Sequence, residues 1–222
     1  RAFSVLLFDA DDRLLVQKRA STKITFPSIW ANTCCSHPLM VSDERGSEAE
    51  EPVRSAAIRK MEQELGISSE ISGKWDFREV GRFKYSSRWD PEWIEREIDH
   101  VLMVRGDTDI ELNLNEVEAF EWLSLDEVRN MVMQRGHWSE EIVAPWFKAI
   151  VSAHLPEGIT VDEAMKRESN EILQFGRMSL NPGDSKQILA QTSNNGEHAE
   201  EHIIKGLSKI RQPRLHAAMS HL

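Results

Sequence analysis

Cysteine is scarce and poorly placed for cross-linking. The 222-residue chain holds two cysteines, Cys34 and Cys35, and neighbours in sequence cannot close an ordinary structural disulfide on each other. A disulfide scaffold is thereby excluded and a reducing compartment, the cytoplasm, is expected. No apolar run approaches the roughly 20 residues needed to cross a bilayer, which argues against a transmembrane protein. A basic excess is also missing: 27 Lys and Arg stand against 37 Asp and Glu, a formal charge of −10. General attraction to nucleic acid or to an anionic membrane is not expected, whereas a small anionic ligand needs only local cations. There is no secretory signal pattern and no internal repeat. The chain starts at Arg1 and runs straight into an apolar segment, so the expectation is that the true N-terminus was lost or processed. A transit peptide lost with it keeps an organelle open.

What is present reads as one α+β domain of mixed sheet and helices, with an extension. "RAFSVLLFDADDRLLVQKR" is strand, polar turn, strand. From Ser47 to Gly66 the four-residue spacing of Val53, Ala57, Met61 and Leu65 predicts a helix with Gly66 as its stop. "WDFREVGRFKYSS" is expected to form a strand pair, "IEREIDHVLMVRG" a strand ending at Gly106, and "EVEAFEWLS" another. Ser124 is placed to cap a helix beginning at Leu125, and residues 139–154 suggest a further helix. Beyond about residue 155 "VDEAMKRESNEILQF" has a helical pattern, followed by Gly- and Asn-rich breakers and a short amphipathic segment near the end. The expected division is a domain over 1–154 and a partly mobile helical extension over 155–222.

Glu95 and Glu97 sit two apart on a predicted strand and therefore on one face, with Asp99 following. Two such glutamates alone are ordinarily a solvated strand edge. This strand, however, continues into the apolar "VLMV", which places it inside the sheet, and paired carboxylates there need a metal or a shared proton. On the long helix Glu51, Arg59, Glu62 and Glu64 are most simply a charged face. Glu64, beside Leu65 and Gly66, can instead offer a carboxylate to Mg²⁺. In "ANTCCSHPLM" extended backbone sends Cys34 and Cys35 to opposite sides, so one packs while the other shares its side with His37. "HAEEH", residues 198–202, formally fits a zinc-protease pattern. A solvated helix face is the better reading, because the match is short and follows a breaker-rich loop.

The residues "RAFSVLLFD", "LLVQKRASTKITFPSIWANTCCSHP", "ELGI", "REID" and "PWF" carry a resemblance. The chain resembles the type I isopentenyl diphosphate isomerases of the Nudix superfamily over about residues 1–150, which implies an α/β/α sandwich. Glu51, Arg59, Glu64, Gly66 and Ile67 fit the Nudix pattern, but Lys60 and Gln63 stand where the hydrolases have glutamates. That departure argues against diphosphate hydrolysis. The resemblance implies that Cys35 and Glu97 are the two acid/base groups on opposite sides of the substrate. It also implies that Tyr85, ten residues before Glu95, assists Glu97, and that Trp146 offers its ring to a developing cation. Arg19, Lys23 and Lys60, the last replacing the family's usual arginine, would hold the diphosphate. Mg²⁺ would bridge it to Glu64 and the Cys35 carbonyl. A second divalent ion, Mg²⁺, Mn²⁺ or Zn²⁺, would take His37, Glu95 and Glu97, three of five family ligands; the other two are histidines expected upstream of residue 1. A monomer acting on a small prenyl diphosphate is expected. The alternatives are a Nudix hydrolase and a silent relative that binds prenyl diphosphates or a protein partner.

Overall fold

The structure is a computed structural model and describes residues 1–44, 50–89, 92–167, 169 and 171–179. Among the described residues eight strands form one sheet. They are β1 (Ala2–Phe8), β2 (Leu14–Arg19), β3 (Trp30–Ala31), β4 (Cys34–Ser36), β5 (Arg78–Arg88), β6 (Ile94–Arg105), β7 (Val117–Leu123) and β8 (Ile172–Ser179). The order is β3-β2-β1-β6-β5-β8, with β4 on β1 and β7 on β2. β1 is central: it runs parallel to β6 and antiparallel to β2 and β4. All seven of its residues are buried, as a strand covered on both faces requires.

Helix α1 (Glu50–Leu65) covers one face and turns Val53, Ala57, Met61 and Leu65 inward, each fully buried. It stops as its sequence predicts. Gly66 takes φ +67°, its N–H donates to the Glu62 carbonyl, and the Ile67 N–H reaches back to Met61, a left-handed closure that favours glycine. Short α2 (Ser69–Ser72) follows. The opposite face is covered by α3 (Leu125–Val132), α4 (Pro145–His154) and α5 (Val161–Met165). Ser124 caps α3 in a reciprocal box with Glu127. Two apolar layers thus flank the sheet, the α/β/α sandwich of the sequence reading. No helix among the described residues is long and apolar enough to cross a membrane.

Three expectations need correction. Residues 75–87 do not make a strand pair; Arg78–Arg88 is one strand, shifted in register between Glu79 and Gly81. Gly81 is no turn: a Cβ there would lie 2.7 Å from His154 Cε1, so the glycine makes room for a ring. The helix expected over 139–154 begins at Pro145, because residues just before it are extended, Val143 bridging Trp30, and proline fits the first helical position. The helical pattern over 161–175 holds only to Met165. Ile172–Ser179 instead pairs in parallel with β5, and Phe175 packs edge-on against Phe83 at 5.5 Å. The amphipathic segment near the end and "HAEEH" lie outside the described residues.

Candidate active site

The two cysteines part company on β4. Cys34 is fully buried in the layer under α1, while Cys35 is half-buried and packs toward the layer under α4. Both thiols are free. The preceding Asn32 and Thr33, fully buried, fix the strand. Thr33 Oγ1 accepts from the Leu7 N–H at 2.8 Å and donates to the Leu15 carbonyl at 2.7 Å. Asn32 Nδ2 donates to the carbonyls of Val5 (3.2 Å) and Cys34 (2.8 Å), and its Oδ1 accepts from Trp146 Nε1 at 3.2 Å. Asn32 therefore joins the cysteine strand to α4. Sequence reasoning passed over both residues, although two polar side chains inside an apolar stretch are a signal of buried anchoring. Burial pushes the Cys35 thiol up to about 12, against the opposing charge of Arg19. It rests as a neutral thiol.

Cys35 lies opposite Ser4 on β1, and directly opposed residues of an antiparallel pair share a face. Ser4 Oγ donates to Asp99 Oδ2 at 2.8 Å, so the same face carries Asp99 and, by alternation along β6, Glu97 and Glu95. β4 and β6 both border β1, which separates the thiol's strand from the carboxylates' strand by about 10 Å.

Glu97 is tightly held. Tyr85, its register partner on β5, donates to Glu97 Oε2 at 2.7 Å, and His37 Nε2 lies 2.5 Å from Oε1. Burial alone would raise the Glu97 carboxyl, but the His37 and Tyr85 hydrogen bonds outweigh it and hold it below the usual range. Glu95 goes the other way: burial and then the Glu97 charge push it up, with a partial offset from the Thr25 hydroxyl, which donates at 3.1 Å. The Glu97 hydrogen bond raises His37, against the effect of burial. Among the described residues no three His, Cys, Asp or Glu side chains surround a common ion position.

A cationic group borders this face. Arg19 Nε and Nη2 donate to the carbonyls of Phe26 (2.9 Å) and Thr25 (3.0 Å), and its guanidinium carbon lies 5.8 Å from the Trp146 ring centroid. Phe26, at φ +50°, presents its ring edge-on to Trp146 at 5.1 Å. The loop that wraps Arg19 therefore also supports Trp146, and through Thr25 it reaches Glu95. Lys23 Nζ donates to Glu116 Oε2 at 2.6 Å. Lys60 lies 2.9 Å from Glu64 Oε1, whose other oxygen accepts from Gln17 Nε2 at 3.1 Å. Burial would lower the Lys60 ammonium, but the Glu64 charge and hydrogen bond raise it overall. Of the sequence-predicted residues, Cys35, Glu95, Glu97, Tyr85, His37, Arg19 and Trp146 form one group, and Lys23, Lys60 and Glu64 a second. Glu64 sits in a buried ion pair. Glu116, which sequence reasoning did not single out, tethers Lys23.

Comparison with known proteins decides the family. The NUDIX domain family matches residues 1–147. The chain belongs to the Nudix family. This Nudix chain is 43% identical over 153 residues to the isopentenyl-diphosphate delta-isomerase of Schizosaccharomyces pombe, a match covering 68% of this chain and 65% of the relative. It is 42% identical over 168 residues to the isopentenyl-diphosphate delta-isomerase of Aspergillus fumigatus, covering 71% and 59%. The Nudix chain thus spans less than two thirds of the length of either relative. A NUDIX hydrolase from Alicyclobacillus acidocaldarius superposes with a TM-score of 0.55 at 16% identity, over 77% of this chain and 96% of the hydrolase. At that identity the likeness concerns the fold alone.

Proposed function

We propose that this chain converts isopentenyl diphosphate to dimethylallyl diphosphate. The observation that carries the reading is the placement of Cys35 and Glu97 on one sheet face, on strands either side of β1, in opposite protonation states. The reaction adds a proton to the terminal alkene carbon and removes one from C2 of the resulting tertiary cation. It needs one group that gives a proton and one that takes it, flanking a five-carbon chain. Tyr85 keeps its proton, since burial and the Glu97 charge push its hydroxyl far up, so it serves Glu97 as a hydrogen-bond donor.

The cation between the two steps is the high-energy species. Trp146 is fixed by Asn32 and Phe26 in the same layer as Cys35. A desolvated ring–cation attraction of about 2 kcal/mol favours the charged intermediate over the neutral alkene. Trp146 and Tyr85, both buried on this face, shield that cation from capture by water as an alcohol. Arg19, Lys23 and Lys60 supply positive charge for the diphosphate.

The donor chemistry fits divalent cations: the Glu95 and Glu97 carboxylates with the His37 imidazole, and, once its ion pair with Lys60 opens, the Glu64 carboxylate with the Cys35 carbonyl. Burial first and then the Glu97 charge push Glu95 up, and two neighbouring carboxylates on one sheet face are a pair whose repulsion a cation offsets. When bound, Mg²⁺ neutralises diphosphate oxygens, and Mg²⁺, Mn²⁺ or Zn²⁺ suits the mixed imidazole and carboxylate set.

Incubation with isopentenyl diphosphate and Mg²⁺ in D₂O, followed by NMR, tests the reading. The expected product is dimethylallyl diphosphate with deuterium in a methyl group, and Cys35→Ala should abolish it. Release of inorganic phosphate instead would make the chain a hydrolase. Isomerisation untouched by Cys35→Ala would sink the assigned chemistry.

A further inference from the structure

Lys60 and Gln63 are the positions on α1 that depart from the Nudix glutamate pattern, and the fold brings both to one carboxylate on another element. Gln63 Nε2 donates to Glu116 Oε1 at 3.1 Å, and Lys60 Nζ lies 3.9 Å from the same oxygen. The second oxygen, Oε2, accepts from Lys23 at 2.6 Å. Glu116 is held by its own main chain: its N–H donates to the Asn113 carbonyl at 2.8 Å, and its carbonyl accepts from the Ala20 N–H at 3.0 Å. Its side chain is 18% exposed. The carboxylate is thus pinned between the loop after β2, which carries Lys23, and the helix that carries Lys60.

Glu64 already holds the Lys60 ammonium at 2.9 Å, and a second ammonium brought beside it without a further anion is repelled and turns out to solvent. A fixed carboxylate reverses that tendency, at the cost of competing with any anion that arrives. We propose that Glu116 is a built-in counter-anion and positioning residue for the diphosphate site. It draws Lys23 to the point that Lys60 already faces in the free protein and yields Lys23 to a diphosphate oxygen on binding. This inference rests on the diphosphate reading of the two lysines. Because the carboxylate stays pinned when Lys23 leaves it, its charge opposes the bound anion and limits affinity. Removing one charge some 4–5 Å away, in a partly screened site, should tighten binding about tenfold.

The test is calorimetric titration of inorganic pyrophosphate into the full chain at low salt, without divalent cation and then with Mg²⁺. Wild type, Lys23→Ala and the isosteric Glu116→Gln are compared, with thermal melts to verify folding. Lys23→Ala should weaken binding at least about tenfold, in keeping with a charge-assisted phosphate contact, and Glu116→Gln should tighten it in both conditions. If Lys23→Ala leaves pyrophosphate binding unchanged, the diphosphate reading fails. If Lys23→Ala weakens binding while Glu116→Gln has no effect or weakens it too, the counter-anion inference alone is overturned. Weakening by Glu116→Gln confined to the Mg²⁺ condition would make Glu116 a metal ligand and also overturns it.

Discussion

Replacing His154 with leucine should flatten the acid side of the stability profile. The imidazole is 5% exposed, its ring packs against Gly81 on β5, and its Nε2 has no hydrogen-bond partner among the described residues. Burial, aided by the charge of Arg167, lowers its pKa from the usual 6.5 to about 4. The folded protein therefore binds fewer protons than the unfolded chain between those two values. Stability contributed by the neutral ring is complete above about pH 6.5 and is lost as pH falls toward 4, up to about 3 kcal/mol at 1.36 kcal/mol per pKa unit. At pH 4.5 the loss is about 2.5 kcal/mol, or roughly 1 M in urea midpoint for a slope of about 2 kcal/mol/M. Leucine fills a similar volume and does not titrate. The measurement is urea unfolding of both proteins at pH 7.5 and pH 4.5. Carboxylates contribute alike to both, so the difference between the proteins isolates His154. A difference that stays constant across the two pH values would refute the argument.

The cysteines should separate by assay. Cys34→Ser buries a hydroxyl where a thiol packed and should cost about 1–3 kcal/mol in chemical unfolding with the proposed isomerisation largely kept, while Cys35→Ser should leave stability nearly intact and remove the proposed isomerisation. Exchange of those two outcomes would contradict the assignment of the strand's faces. Glu64→Ala strands the buried Lys60 ammonium and should cost about 3–5 kcal/mol, whereas the paired change Lys60→Met with Glu64→Leu should recover most of that loss. Equal destabilisation by the single and the paired change would show that the ion pair is not the source.

Local pattern made much of this molecule legible. The apolar spacing of Val53, Ala57, Met61 and Leu65 gave α1, Ser124 gave the start of α3, and alternation put Glu95 and Glu97 together and split Cys34 from Cys35. These are properties of a few neighbouring residues and the period of their backbone. What stayed hidden depends on partners far along the chain. Residues 75–87 looked like a strand pair, whereas Gly81 lies within one strand and makes room for a ring 73 residues away. Residues 172–175 looked helical because the strand they join lies about 90 positions earlier. Glu116 stood only as the first residue of a predicted strand, and only folding brings it to Lys23 and Lys60. His37 reached Glu97 only through the family resemblance, because local pattern ties it to Cys35 and its hydrogen bond with Glu97 spans 60 positions.

The parallel pairing of β8 with β5 imposes an order of events during synthesis. Arg82 is translated about 90 residues before its partner Ile172, a delay of roughly 5–20 s at ordinary elongation rates. Through that interval β5 can pair with β6 on one side only, and its other edge, beside Phe83 and Tyr85, stands open to any extended chain. The nascent protein therefore passes through a sticky stage that the finished sheet conceals. The edge that passes through it belongs to the strand that supplies Tyr85 to Glu97.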